Sequence, residues 1–239
     1  MEIGYWGIKG IAEPVRWSVL ALGLHATEKN PASREEWAES KKALHTDFPN
    51  LPYLKDGDFV LTESSAIPVY LAHKAGKPEF FGKDFKDQAI VRQIEGVLGD
   101  IRSSLFKVFG AENPGENFQG LVTGEGAIAI KLGYLNKFLG DKHFFLGYLT
   151  WTDLQFAYLA EMIDSLAASF GHKSIIAHHA HLHGLTTRVH DHEALKARVV
   201  AGHDLPYMPP AMLKFKLFTY KETLAFNSQL PSRSQHQNI

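Results

Sequence analysis

The side chains of this 239-residue chain that could carry chemistry are few and far apart, and none is a cysteine. Without a thiol of its own the protein has no disulfide, no thiolate metal site and no cysteine nucleophile, so any sulfur in its chemistry belongs to a substrate. Tyr5 ends a short apolar run and precedes Gly7 and Gly10. Its phenol either packs into a core or stands over a ligand as a hydrogen-bond donor. Glu63 and Ser64 precede an apolar stretch that reads as a helix. Free N–H groups at such a start, with a serine hydroxyl, hold a carboxylate, and the same residues also serve as plain caps. Trp37 and Lys41 have i, i+4 spacing, which brings an indole N–H and an ammonium together on one helix face or leaves the lysine in solvent. Asp100 shares a polar helical stripe with Gln93, Ser103 and Lys107 and reads by default as solvated. Phe48, between Asp47 and Pro49, is an exposed aromatic unless something covers it.

Histidines crowd residues 172–203: His172, His178, His179, His181, His183, His190, His192 and His203. His179 and His183 have the helical spacing of a metal pair, but no three-ligand set with a carboxylate stands out. The expectation is no physiological metal, affinity for nickel or copper resins, and a surface whose charge changes near pH 6.5. With 25 basic and 26 acidic residues the formal charge is −1, which favours neither nucleic acid nor an anionic membrane as partner. The opening MEIGYWGIKG lacks a basic region followed by an apolar run, and apolar stretches fall short of the roughly 18 residues of a membrane span. A cytoplasmic location is expected.

Two kinds of element must position these groups. Glu2–Tyr5 reads as a strand, and Pro14 opens a helix whose Val15, Val19, Leu22 and Leu24 form one apolar face. A strand at 26–30 and a short helix at 34–44 follow. Leu51–Lys55 and Phe59–Leu61 flank Asp56-Gly57-Asp58, a hairpin signal. Thr62–Ser65 reads as the cap of a third helix reaching about Ala75. The order β-α-β-α-β-β-α predicts a mixed sheet, half parallel and half antiparallel. After the Gly- and Pro-bearing stretch GKPEFFGKDF the pattern is helical. Ile90, Ile94, Val97, Ile101, Leu105 and Val108 mark a long amphipathic helix, Gly126–Leu139 another, and Thr150 with Asp153 a capping box before the apolar Leu154–Leu166. The division is 1–78, a linker at 79–88, a helical domain at 89–220, and a polar tail at 221–239, whose final stretch SQLPSRSQHQNI is expected to fray.

Three segments and the capping box carry a resemblance. The run Gly4-Tyr5-Trp6-Gly7-Ile8-Lys9-Gly10-Ile11-Ala12-Glu13-Pro14-Val15-Arg16 resembles the opening of mu-class glutathione transferases. Asp47-Phe48-Pro49-Asn50-Leu51-Pro52-Tyr53-Leu54 is similar to that family's loop into its third strand, and Glu63-Ser64-Ser65-Ala66-Ile67 to its turn into the third helix. Thr150 to Asp153 resembles the N-capping box of the family's core helix. Together these cover the first half closely and the second loosely.

The resemblance implies a thioredoxin-like glutathione-binding domain followed by an all-α domain, in a homodimeric transferase. It implies that Tyr5 stabilises the thiolate of glutathione, a cosubstrate, for attack on hydrophobic electrophiles. Pro52 would follow a cis bond, presenting the Leu51 backbone to the cysteinyl unit. Glu63 and Ser64 would hold the γ-glutamyl end, Trp37 and Lys41 the glycyl carboxylate, with Trp6 and Asn50 completing the pocket. Asp100 would reach the partner's γ-glutamyl group, and Phe48 would be an intersubunit key. Departures exist: Glu63 stands where mu-class members usually have Gln, and Gly110, beside Phe109, falls where the family has a second active-site tyrosine. The electrophile pocket would be lined by Ile8, Ile11, Phe106 and Gly110. Alternatives on the same scaffold are a sigma-type glutathione-dependent isomerase and a non-catalytic apolar-ligand-binding or structural relative.

Overall fold

The computed structural model describes residues 1–202 and 204–229; His203 and residues 230–239, the end of the sequence's polar tail, lie outside the described residues. The first half runs β1 (Glu2–Gly4), α1 (Glu13–Ala21), β2 (Thr27–Lys29), α2 (Arg34–Ser40), β3 (Tyr53–Asp56), β4 (Phe59–Thr62) and α3 (Ile67–Lys74). The second half is helical: α4 (Phe85–Gly110), α5 (Pro114–Val122), α6 (Ala127–Leu139), α7 (Trp151–Ser169), α8 (Ala180–His190), α9 (Glu193–Ala201) and α10 (Tyr220–Gln229). The sheet order is β2-β1-β3-β4, with β1 parallel to β2 and the other pairs antiparallel. This is the mixed sheet that the alternation of elements predicts, in a thioredoxin-like first half. Among the described residues no helix is long and apolar enough to cross a membrane.

One core runs through both halves. Val15, Trp17 and Val19 of α1 belong to the same buried cluster as Leu98 of α4 and Tyr158, Met162 and Leu166 of α7. Trp17 meets Tyr158 edge-on, with ring centroids 6.4 Å apart. α7 is buried on nearly every side. Its start is fixed as expected: the Asp153 carboxylate accepts from the Thr150 N–H at 2.8 Å and hydroxyl at 2.7 Å, while its other oxygen accepts from the Phe145 N–H at 2.8 Å.

Three boundaries differ from the sequence reading. The stretch 79–88, expected as linker, is not slack: Pro78–Phe81 forms a 3-10 turn that buries Phe80 and Phe81. Asp84 then caps α4 through the Lys86 and Asp87 N–H groups. Thr62 does not cap α3, because its hydroxyl donates to the Phe48 carbonyl at 2.8 Å. The chain turns instead at Glu63, whose φ of 77° is left-handed and whose carbonyl accepts from the Ala66 and Ile67 N–H groups. The tail expected from residue 221 holds α10, where buried Thr223 donates to Ser165 of α7 at 3.1 Å.

Candidate active site

Tyr5 lies one residue beyond β1, and its N–H donates to the Lys29 carbonyl at 3.1 Å. Its ring sits apart from the main core, in a small cluster with Ala12, Leu44, Leu51 and Tyr53 against Trp6, Ile8, Ile11, Trp37 and Val60. The Ile11 N–H donates to the Tyr5 hydroxyl oxygen at 3.3 Å. A phenol that accepts from a backbone N–H keeps its own proton for another acceptor, and the accepted bond polarises it. Burial raises the Tyr5 pKa, opposed by the Ile11 N–H and the Arg16 guanidinium, so the phenol remains a protonated donor at neutral pH. Gly10 makes this approach possible: its φ is +45°, and a Cβ there would overlap the Tyr5 ring.

The loop between Tyr5 and α1 is held from two sides. Arg16 donates to the carbonyls of Ile8 at 2.8 Å and Trp6 at 3.3 Å, and pairs with Glu13 at 3.1 Å. On the other side, the Lys9 and Gly10 N–H groups donate to the Pro206 and Tyr207 carbonyls at 2.9 and 3.1 Å. Neither anchor was legible as such, although Arg16, a cation set among the apolar Val15, Trp17 and Val19, is the signal that buried charge must be paired.

The Leu51–Pro52 bond is cis. The Leu51 N–H, however, donates to the Asn50 side-chain oxygen at 2.9 Å, so that donor has an internal partner. Trp37 of α2 stacks on Tyr53, with centroids 6.2 Å apart and planes 14° apart. Lys41 lies just past the end of α2, exposed, with its N–H still bonded to the Trp37 carbonyl, so the four-residue spacing survives.

Beside this cluster a cleft of about 380 Å³ opens between the two halves. Ile11, Glu63, Ser64 and Ser65 form one wall, and Arg92, Glu95 and Arg102 of α4 with Gln155 and Tyr158 of α7 form the other. Ile11 thus belongs both to the Tyr5 cluster and to the cleft. At the start of α3 the Ile67 N–H is already bonded to the Glu63 carbonyl and Pro68 has no N–H, while the Ser64 hydroxyl lines the cleft as a hydrogen-bonding group.

The remaining predicted residues are not gathered there. Asp100 pairs with Lys131 of its own α6 at 3.2 Å and is otherwise exposed. Phe48 is 75% exposed. Phe106 meets Phe109 edge-on, Phe109 stacks on Phe215, and Gly110 ends α4 in solvent. Through Phe215, Phe109 adjoins a second cleft of about 390 Å³ under the C-terminal segment, whose apolar lining includes Tyr207, Met208, Leu213, Phe215 and Leu217. That run of apolar residues among prolines was the available signal for it. Among the described residues no group of three or more His, Cys, Asp or Glu side chains could hold a metal ion. His190, expected on the surface, is instead nearly buried and lies 3.0 Å from Glu161.

Residues 1–73 match the family model described as "Glutathione S-transferase, N-terminal domain", and residues 100–198 match "Glutathione S-transferase, C-terminal domain". Among curated proteins, "Glutathione S-transferase class-mu 26 kDa isozyme 51" of Fasciola hepatica is 34% identical over 61% of this chain and 65% of its own length. "Glutathione S-transferase Mu 1" of Oryctolagus cuniculus is 34% identical over 63% of this chain and 73% of its own. The match spans only 54% of a "Glutathione S-transferase class-mu 26 kDa isozyme" of Schistosoma mansoni, at 38% identity. Among solved structures, that of the glutathione S-transferase Blo t 8 superposes with a TM-score of 0.70 at 28% identity, covering 90% of this chain and 99% of that one. The structure of prostaglandin synthase D of Nilaparvata lugens shares the fold, with a TM-score of 0.69 at 22% identity over 86% of this chain and 98% of that one.

Proposed function

This chain belongs to the glutathione S-transferase family, and from that footing we propose that it transfers the glutathionyl group to hydrophobic electrophiles. The observation that carries the reading is the Tyr5 hydroxyl, protonated and backed by the N–H of Ile11, a residue that also lines the cleft between the two halves. In the proposed step the thiol of glutathione gives its proton to solvent. The sulfur then forms a carbon–sulfur bond, expelling a leaving group or adding to an activated double bond. Tyr5 donates a hydrogen bond to the sulfur throughout. A hydrogen bond to a charged acceptor contributes about 1.5–3 kcal/mol, enough to lower the thiol's pKa by about one to two units. The rest of the catalysis is placement of the two reactants.

The γ-glutamyl carboxylate is placed beside Ser64 at the start of α3, with Glu63 near its ammonium. The cysteinyl unit pairs with the Leu51 backbone after taking the N–H over from Asn50. Trp37 and Lys41 meet the glycyl carboxylate, with Trp6 flanking. Ile8 and Ile11 begin the apolar electrophile site, and Phe106 and the C-terminal segment extend it. The assembly is a cytoplasmic homodimer keyed by Phe48, to which the partner's Asp100 adds a group once it leaves Lys131.

Ultraviolet absorbance of the thiolate, titrated against pH with glutathione bound, tests this directly. Thiolate present near neutral pH in the wild type and displaced upward by one to two pH units in Tyr5→Phe supports it. Binding with an unshifted thiol in the wild type would sink the catalytic reading.

A further inference from the structure

Behind the Tyr5 loop lies a buried polar cluster that the proposed reaction leaves unused. Lys9 is 2% exposed, and its ammonium lies 2.5 Å from the Glu161 carboxylate of α7. The other Glu161 oxygen lies 3.0 Å from His190 Nε2, at the end of α8. The opposite ring nitrogen of His190, Nδ1, is 3.0 Å from the hydroxyl of Tyr220, the first residue of α10. The Lys9 ammonium also sits over the Tyr207 ring, 4.7 Å from its centroid. Burial alone would raise the Glu161 pKa, but Lys9 and His190 outweigh it and hold the carboxylate ionised.

A dry ion pair such as this adds little net stability relative to an apolar pair of the same shape; what it fixes is position. The position at stake is that of the loop. Lys9 is two residues from Ile11, whose N–H meets the Tyr5 hydroxyl, and its own N–H is bonded to Pro206. Arg16 grips the loop through carbonyls from the α1 side. Lys9 ties it by a side chain to α7 and, through His190 and the Tyr220 ring centred 5.3 Å from its ammonium, to α10.

We propose that Lys9 is a positioning residue: anchored by Glu161, it sets the loop so that the Ile11 N–H backs the Tyr5 hydroxyl, and it links that hydroxyl to the docking of α10. This rests on the reading of Tyr5 as the thiol-activating group. Its atoms touch neither substrate nor sulfur, so its effect falls on the thiolate and on turnover rather than on glutathione affinity.

The test titrates the thiolate absorbance of bound glutathione for wild type, Tyr5→Phe, Lys9→Met, Lys9→Arg and Tyr220→Phe, alongside kcat, KM and the thermal midpoint. In Lys9→Met the thiolate fraction at neutral pH and kcat should fall about tenfold, with KM for glutathione within twofold of wild type. Lys9→Arg should recover most of the loss, and Tyr220→Phe should lose about threefold. Should Lys9→Met fail to fold because Glu161 is left unpaired, the double variant Lys9→Met/Glu161→Leu removes both charges and carries the same expectation. A titration of the folded Lys9 variant that superimposes on wild type while Tyr5→Phe is displaced overturns the positioning role alone. If Tyr5→Phe also superimposes, the role of Tyr5 falls and the proposal with it.

Discussion

Arg198 of α9 grips both oxygens of Glu13 on α1, at 2.8 and 2.9 Å, across 185 residues of sequence. Glu13 is fully buried and also accepts from Trp17 on its own helix. One carboxylate therefore joins the start of α1 to α9. Removing one partner of such a pair leaves charge without compensation, although Arg16 remains beside Glu13. Arg198→Met should cost about 2–3 kcal/mol in urea denaturation. A midpoint equal to the wild type's would remove this pair from the account of stability.

Asp153 gives a pH signature. Burial pushes its carboxyl up to about 6 from an ordinary 3.8, against the three donors supplied by Thr150 and Phe145. Because the folded value is the higher, the folded state binds the extra proton between those limits. This contribution to stability is fully present below about 4, declines as pH rises to about 6, and is gone above. The difference corresponds to about 3 kcal/mol. Denaturation of wild type and Asp153→Asn between pH 4 and 7 should give profiles that diverge across that window and run parallel above it. Parallel profiles throughout would contradict the raised value.

Phe48 is presented rather than merely exposed. The Thr62 hydroxyl holds its carbonyl at 2.8 Å, while its side chain stands in solvent. As an aromatic anchor in a dimer interface it would be worth about 2 kcal/mol or more. Phe48→Ala removes the ring from both subunits, about 4 kcal/mol in all, and should raise the dimer dissociation constant about a thousandfold by sedimentation, with circular dichroism unchanged. An unaltered constant would assign the ring another purpose.

Gly110 ends α4 on the exposed surface, and a Cβ added there meets nothing within 4 Å. Gly110→Tyr should therefore fold at least as stably as the wild type, since glycine is the poorer helix former. If its hydroxyl reaches the electrophile, turnover of substrates that need leaving-group assistance should rise about tenfold. Equal rates for wild type and variant would show that the end of α4 lies away from the chemistry.

Local patterns announced most of the fold. The Asp56-Gly57-Asp58 turn joins β3 and β4 directly, and Gly57 has the left-handed φ of 62° that the sequence implies. The Thr150–Asp153 box starts α7 where the spacing places it. Tyr5 was marked by its glycines, and Gly10 proves to be the one that admits its ring. What stayed hidden depends on distant partners. Nothing near Lys9 marks it as buried, because Glu161, its counterion, is 152 residues away. Thr62 reads as a cap because nothing local shows the Phe48 carbonyl competing for its hydroxyl. α10 reads as part of a polar tail because its residues are mostly polar, and its docking point, Ser165, lies on another helix.

The short turn bearing Phe80 and Phe81 has a consequence for how the molecule comes apart. Those rings pack into the cluster shared by α1, α4 and α7, so the junction between the halves is itself core. Melting should therefore be a single calorimetric transition, with equal calorimetric and van't Hoff enthalpies. Residues 1–78 expressed alone would uncover Val15, Trp17 and Val19 and should self-associate instead of remaining a soluble, folded half. The boundary visible in the architecture is not a boundary in cooperativity.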